Sequence, residues 1–203
     1  MGLKSQIKNT LLNFLKGDFT EDQSVLVYIN SHGGEKGQIA SFDTTYNRYE
    51  VIIEPFRNNQ KYYPTLVGKP KIFVFDACRG GRSMNGQYIA LKRNQGPAPC
   101  SCKKVSYTER KINLNTWPKT NLNAEFLILS SQCERYFSKE AGLIPTLCAI
   151  LKSSNEDFLS IVTDVSKELF EGRGKTTRSQ MPEIKCTLST KLYFGSRRCK
   201  PNK

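Results

Sequence analysis

Lys71-Ile72-Phe73-Val74-Phe75-Asp76-Ala77-Cys78-Arg79-Gly80 is a short apolar run that ends in a cysteine. A run of this kind reads as a strand buried on both faces, as in the interior of an α/β sheet. A second apolar run, Val25 to Ile29, is followed by Asn30-Ser31-His32-Gly33-Gly34, which puts His32 forty-six residues before the cysteine. Reactive groups gather at the carboxyl ends of strands in open α/β sheets. A thiol and an imidazole that converge there are the parts of a nucleophilic cysteine–histidine centre. A buried cysteine at a strand end and a satisfied lone histidine are the purely structural alternatives. Each is ordinary alone, and at this spacing their coincidence is the weaker reading.

Outward from these two strands, helical and extended segments alternate, which predicts an α/β sheet. Leu3, Ile7, Leu11, Phe14 and Leu15 share one face of an N-terminal helix over residues 1–16. Gln38-Ile39-Ala40-Ser41 and Glu50-Val51-Ile52-Ile53 are expected as two short strands in an insertion after His32. From Gly80 to about Asn123 the chain is polar, rich in Gly, Pro and Asn, and without period. Ala124 to Ser130 then reads as another buried strand. A helix follows over about Leu143 to Lys152, with Pro145 tolerated in its first turn. Ser154-Asn155-Glu156-Asp157 matches a capping box ahead of a second helix, whose apolar face is Phe158, Ile161, Val162, Val165 and Leu169. Ile184, Cys186, Leu188, Thr190, Leu192 and Phe194 alternate as the inward face of a last, half-buried strand.

With 203 residues and 38% apolar content the chain has material for one domain with an adequate core. No run approaches the roughly 18 apolar residues of a membrane span, and the first helix lacks the apolar core of a signal peptide. Met1-Gly2 would open a myristoylation motif, but Gln6 stands where Ser or Thr is required. Seven cysteines, an odd count without a secretion signal, read as the reduced thiols of a cytoplasmic protein. Cys100-Ser101-Cys102 suggests metal, but His32 is the only histidine and no second cysteine pair has zinc-ligand spacing, so neither metal nor cofactor is expected. The formal charge of +13 is concentrated in residues 92–111 and in Arg197-Arg198-Cys199-Lys200. Neither stretch interleaves aromatics with its cations, so a solvated linker and tail are preferred over nucleic-acid or anionic-surface binding.

Taken together the motifs resemble the caspases. Ser31-His32-Gly33 is similar to their His-Gly turn, and Val67-Gly68-Lys69-Pro70-Lys71-Ile72-Phe73 to the lead into their catalytic strand. Ala124 to Ser131, Leu147-Cys148-Ala149-Ile150-Leu151 and Gln180-Met181-Pro182 through Lys191-Leu192-Tyr193-Phe194 resemble the first strand, first helix and last strand of the small subunit. The resemblance covers almost all of residues 10–195. It implies a mostly parallel open sheet flanked by helices, in one caspase-like domain. Residues 1–83 would be large-subunit-like, 84–123 an inter-subunit linker, 124–195 small-subunit-like and 196–203 a basic tail. It also implies a cysteine-type endopeptidase acting on protein or peptide substrates in apoptotic or immune signalling. Cys78 would be the nucleophile and His32 the proton donor to the leaving amine. The backbone N–H groups of Gly33 and Cys78 would form the oxyanion hole.

Three departures from the family pattern qualify this. The family's first two strands, with an Arg that binds the substrate carboxylate, have no counterpart here. That reads as a truncation, or as an edge that a partner chain covers. The specificity pocket is also altered. In the family the residue before the scissile bond, P1, is an Asp read by two Arg residues and by the Gln two before the cysteine. Here Asp76 replaces the Gln. Aligned from Ala124, Tyr136-Phe137-Ser138-Lys139-Glu140 puts Phe137 in the pocket and Glu140 at the second Arg position, or Lys139 there with a one-residue slip. Asp76 then has three readings: a pocket turned toward basic P1, a relaxed pocket in a non-enzyme, or a carboxylate held within the strand-end turn. Finally, no Asp lies between Asp76 and Asp157, so maturation by cleavage after Asp in the linker is excluded, whereas Glu109 and many Lys and Arg remain. The alternative from another class is a catalytically impaired regulator. Family resemblance implies a homo- or heterodimer through the last strand, Thr187 to Phe194, and such a regulator would bind an active caspase there.

Overall fold

A computed structural model describes residues 2–59, 62–81, 123–133, 142–171 and 180–194. In chain order the elements are α1 (Lys4–Leu15), β1 (Val25–Asn30), β2 (Gln38–Ala40), β3 (Thr45–Asn47), β4 (Lys71–Asp76), β5 (Phe126–Ser130), α2 (Leu143–Ser153), α3 (Phe158–Glu171) and β6 (Glu183–Cys186). The main sheet has the order β1-β4-β5-β6, parallel through β5 and antiparallel at β6. Strands β2 and β3 form a separate antiparallel pair after the histidine turn. This is the expected α/β architecture. The expected linker, apart from Asn123, and the basic tail lie outside the described residues.

β4 and β5 are buried on both faces, which explains their unbroken apolar sequences. On one face Phe73 and Phe75 pack with Leu15, Ile39, Ile52 and Phe56. The Phe56 ring meets Phe73 edge-on at 5.2 Å, and Phe126 stacks over Phe73 at 5.9 Å. On the other face Ile72, Val74, Leu127 and Leu129 pack under Leu143 and Leu147 of α2 and Phe158, Ile161, Val162 and Val165 of α3. Truncating one of these buried phenylalanines to Ala costs about 3–5 kcal/mol. β1 differs. It is the outermost strand among the described residues, and its Leu26 and Tyr28 remain 53% and 43% exposed. No described helix is long and apolar enough to cross a membrane.

Local expectations failed in three places. Glu50-Val51-Ile52-Ile53 is not a strand: residues Tyr49–Ile53 form a π-type turn that runs into a 3-10 turn over Glu54–Phe56. Val51, Ile52, Ile53 and Phe56 are all buried, so covering the sheet with a wide turn outweighs the strand preference of β-branched residues. The last strand ends at Cys186, not Phe194. Thr187 Oγ1 donates to Asn123 O at 2.7 Å, and the Ser189 hydroxyl donates to the Glu125 carboxylate, drawing the chain out of the sheet plane. Leu188, Leu192 and Phe194 still reach the α2–α3 core, and Phe158 N–H donates to Leu192 O at 2.6 Å. The third failure is the capping box. Asp157, not Ser154, stands directly before α3, and its carboxylate accepts from the Ser160 hydroxyl at 2.8 Å.

Two lysines bind the entry to β4. The Lys69 ammonium donates to the carbonyls of Phe19, Thr20 (2.9 Å) and Asp22 (2.6 Å), fastening the loop before β1. Lys71 is fully buried, donating to Asn58 Oδ1 at 2.7 Å and Lys69 O at 2.9 Å. Burial pulls its pKa down to about 8, against a smaller upward pull from the Glu125 carboxylate. Between about pH 8 and 10.5 the unfolded chain therefore holds this proton more firmly than the folded one, and the contribution of Lys71 to stability rises with pH. Thermal unfolding of the wild type and Lys71→Met should show the difference in midpoint moving in favour of the wild type from pH 7 to pH 10. A pH-independent difference would refute the shift.

Candidate active site

β1 and β4 pair in parallel with a constant offset of 46 residues, from Val25↔Lys71 to Asn30↔Asp76. His32 and Cys78 are separated by the same 46 residues, so both leave adjacent strands at one level. Ser31 N–H donates to Asp76 O at 3.3 Å and carries the ladder past the end of β1. Here the chain must turn tightly against its neighbour. A Cβ at Gly33 would lie 2.3 Å from the Cys78 carbonyl oxygen and 3.1 Å from the Ala77 Cβ. Only glycine allows this approach. The turn is held from outside by the β2–β3 pair: Ala40 N–H donates to His32 O at 2.8 Å and Gly34 N–H to Gln38 O at 2.9 Å. His32 is exposed, and Cys78 is a half-buried thiol outside any disulfide.

The residues on both sides of Cys78 are clamped. Ala77 N–H donates to Ser131 Oγ at 3.2 Å, and Ser131 N–H donates to Phe75 O at 2.9 Å. Gln180 Nε2 donates to Ser131 O at 2.8 Å, and Gln132 Oε1 accepts from Met181 N–H at 2.9 Å. Arg79 is buried, donates to Gln132 O at 3.1 Å and forms an ion pair with Glu183 at the start of β6. Burial raises the Glu183 pKa, but the Arg79 guanidinium outweighs it and holds the carboxyl below its ordinary range. Beneath lies Arg48, also buried, its guanidinium over the Phe75 ring at 4.8 Å and donating to Ser130 Oγ at 3.0 Å. Tyr49 OH accepts from Arg48 Nη2 at 3.4 Å and from Lys185 Nζ at 3.0 Å. Burial raises the pKa of that phenol, but the two cationic donors prevail and leave it lowered.

Of the residues read from the sequence, His32, Gly33, Asp76 and Cys78 are brought to one end of the sheet. Asp76 is half-buried and, by strand alternation, lies on the α2–α3 side with Ile72 and Val74. Phe137 and Glu140, like Lys139, lie outside the described residues. Sequence reasoning missed Ser131, Gln132, Gln180, Arg79 and Glu183 as a support. The polar Ser130-Ser131-Gln132 directly after a buried strand was the available signal. Arg48 had none, since an isolated arginine in a half-polar stretch reads as solvent-facing. Among the described residues no cluster of three His, Cys, Asp or Glu could hold a metal ion; Cys100 and Cys102 lie outside them.

The caspase-domain family profile matches residues 3–193. The chain is 27% identical over 206 residues to Cell death protein 3 of Caenorhabditis remanei, covering 91% of this chain and 40% of that protein. It is 28% identical over 197 residues to Caspase drICE of Drosophila melanogaster, covering 90% and 53%. It is 28% identical over 205 residues to Caspase-3 of Mesocricetus auratus, covering 94% and 66%. The chain thus spans between 40% and 66% of the length of these relatives. Among solved structures, Caspase-1 from Spodoptera frugiperda superposes with a TM-score of 0.73 at 23% identity, over 98% of this chain and 73% of that one.

Two measurements probe the geometry. Gly33→Ala should destabilise the fold by about 1–3 kcal/mol through overpacking, read by urea unfolding; an unchanged midpoint would mean that the turn stands off Cys78. Glu183→Gln leaves Arg79 buried without its counter-charge and should cost about 3 kcal/mol at pH 7, the low end for a buried pair because Glu183 keeps some water contact. A carboxylate with a depressed pKa stabilises above its unfolded pKa and loses this as pH falls through the folded one. The gap between wild type and Glu183→Gln should therefore narrow as pH falls below 4.5, and a constant gap would exclude the ion pair as its cause.

Proposed function

Because the chain belongs to the caspase family, we propose that it is a cysteine endopeptidase with Cys78 as nucleophile and His32 as general acid and base. The observation that carries this is the shared offset of 46 residues in the β1–β4 register and in the His32–Cys78 spacing. The Cys78 thiol passes its proton to the imidazole and its sulfur attacks the scissile carbonyl carbon, whose oxygen takes the electron pair. That oxyanion accepts from the N–H groups of Gly33 and Cys78; one such donor is worth roughly 10²–10³ in rate. Collapse breaks the C–N bond, the amine leaves with the proton from His32, and a thioester remains. Water, deprotonated by His32, then releases the acid and returns the thiol.

The specificity differs from the family pattern. A P1 Asp would bring a second carboxylate to Asp76, and like charges facing one another cost several kcal/mol. The pocket is therefore shifted away from Asp. The relative called Cell death protein 3 extends the proposal to proteolysis in cell death. A second reading is a regulator that pairs with an active caspase; the dimer strand expected over Thr187 to Phe194 is not formed there, so this reading draws instead on the outer edge of β6, the last strand of the sheet among the described residues, where Lys185 and Cys186 are exposed.

Peptide acyloxymethyl ketones with Leu, Lys, Arg or Asp at P1 separate these readings. Covalent labelling of Cys78, followed by intact-protein mass spectrometry, should occur with at least one probe and vanish in Cys78→Ala. His32→Ala should slow it by roughly 10²-fold or more. No labelling by any probe, with stable association to an active caspase, would replace the enzyme reading with the regulator.

A further inference from the structure

The peptide that joins Ala77 to Cys78 has two polar ends. Its N–H belongs to Cys78 and is one of the two oxyanion donors of the proposed mechanism; its carbonyl belongs to Ala77. In a trans peptide the two bonds point in opposite directions, so whatever fixes the carbonyl also aims the N–H. The β4–β5 pairing ends at Phe75↔Ser130, two residues short of Ala77. Beyond it the Ser131 hydroxyl takes over: it accepts from Ala77 N–H at 3.2 Å and donates to Ala77 O at 3.3 Å. A hydroxyl can do both because one atom is donor and acceptor together. Ser131 is fully buried, and its own backbone is held at both ends. Its N–H donates to Phe75 O at 2.9 Å, and its carbonyl accepts from Gln180 Nε2 at 2.8 Å. Gln180 is buried in turn, with Oε1 packed so close to Gly142 that a Cβ there would lie 2.2 Å away.

From these contacts, and resting on the peptidase reading above, we propose that Ser131 is a positioning residue for the oxyanion: its hydroxyl aims the Cys78 N–H and strengthens it as a donor. Donation to the Ala77 carbonyl draws electron density through the amide, which makes the N–H at its other end more positive. Gly33, the second donor, is placed independently, by the close packing of its turn on the Cys78 carbonyl. The two halves of the oxyanion hole therefore have separate supports. Among the described residues the Ser131 hydroxyl bonds to backbone atoms alone, so its loss acts on the N–H and leaves the chemistry of the thiol as it is.

Two reactions of Cys78 separate this role from a merely structural one. Alkylation by iodoacetamide forms a C–S bond as iodide leaves and creates no oxyanion. Peptide cleavage, and hemithioacetal formation with a peptide aldehyde, both place a carbonyl oxygen in the hole. Substrate and aldehyde carry the P1 residue of whichever ketone probe labels Cys78. Ser131→Ala should lower kcat by at least about 10-fold, part of the roughly 10²–10³ that a whole donor is worth, with KM little changed. Aldehyde affinity should fall with kcat, while the alkylation rate and its pH profile stay at wild-type values. Ser131→Thr, which keeps the hydroxyl, should recover most of the loss. If Ser131→Ala does not fold, Ser131→Cys takes its place, since a thiol is a weaker donor and acceptor. Cleavage and alkylation falling together would make Ser131 structural only, and an unchanged kcat would remove it from the mechanism; both leave the peptidase standing. If the wild type neither cleaves nor labels, the peptidase reading fails, and the aim of the N–H is read by NMR. The Ala77 carbonyl-carbon signal should then move upfield in Ser131→Ala, the Cys78 amide proton should move with it, and both should return in Ser131→Thr. Unmoved signals would overturn the support of the Cys78 N–H as well.

Discussion

The register between β1 and β4 is the constraint from which the rest of the site follows. Side chains alternate along a strand, so a slip of one residue would turn Phe73 and Phe75 toward the helices and Ile72 and Val74 toward the aromatic layer. Both layers are packed, so the alternation on β4 leaves one workable depth for that strand. β1 accepts its place through Val25, Val27 and Ile29, which join the aromatic layer. Hydrophobic sorting well inside the protein thereby decides which residues stand level beyond the strand ends. Gly33 then converts level into contact, because it alone lets the turn rest on the Cys78 carbonyl.

Under that framework lie charges that a core normally excludes. Arg48, Lys71 and Arg79 are all buried, and each takes a hydrogen bond or ion pair from another part of the chain: Ser130, Asn58, and Gln132 with Glu183. Such groups are weak sources of net stability but costly to leave unpaired. Their value here is geometric, since a guanidinium held on two sides admits fewer arrangements than an aliphatic side chain of similar size. Arg79 passes that restriction directly to its neighbour, Cys78.

Much of this was legible in the sequence, for identifiable reasons. Ile72 to Phe75 and Phe126 to Leu129 announced buried parallel strands because both faces demand apolar residues. His32 and Cys78 stood out because their spacing matches a reactive pair. What stayed hidden was decided by distant partners. Val51-Ile52-Ile53 looks extended by propensity and becomes a turn because the sheet beneath it needs covering. Thr187 to Phe194 keeps its apolar side chains on the α2–α3 core, yet leaves the sheet because Asn123 and Glu125 capture Thr187 and Ser189. The Arg79–Glu183 pair spans 104 positions and has no local signature.

Several of the contacts that support the site cross between residues up to 81 and residues from 123 onward. β4 pairs with β5, Arg48 with Ser130, Asn58 with the carbonyl of Ala124, Ala77 with Ser131, and Arg79 with Glu183. None of them needs the covalent path that joins residue 81 to residue 123. In mechanical terms the described residues up to 81 and those from 123 onward interlock through one sheet. Cys78 stands on the first part and the clamp that steadies it on the second, so the setting of the thiol is fixed by a residue 54 positions along the chain from its neighbour Ala77.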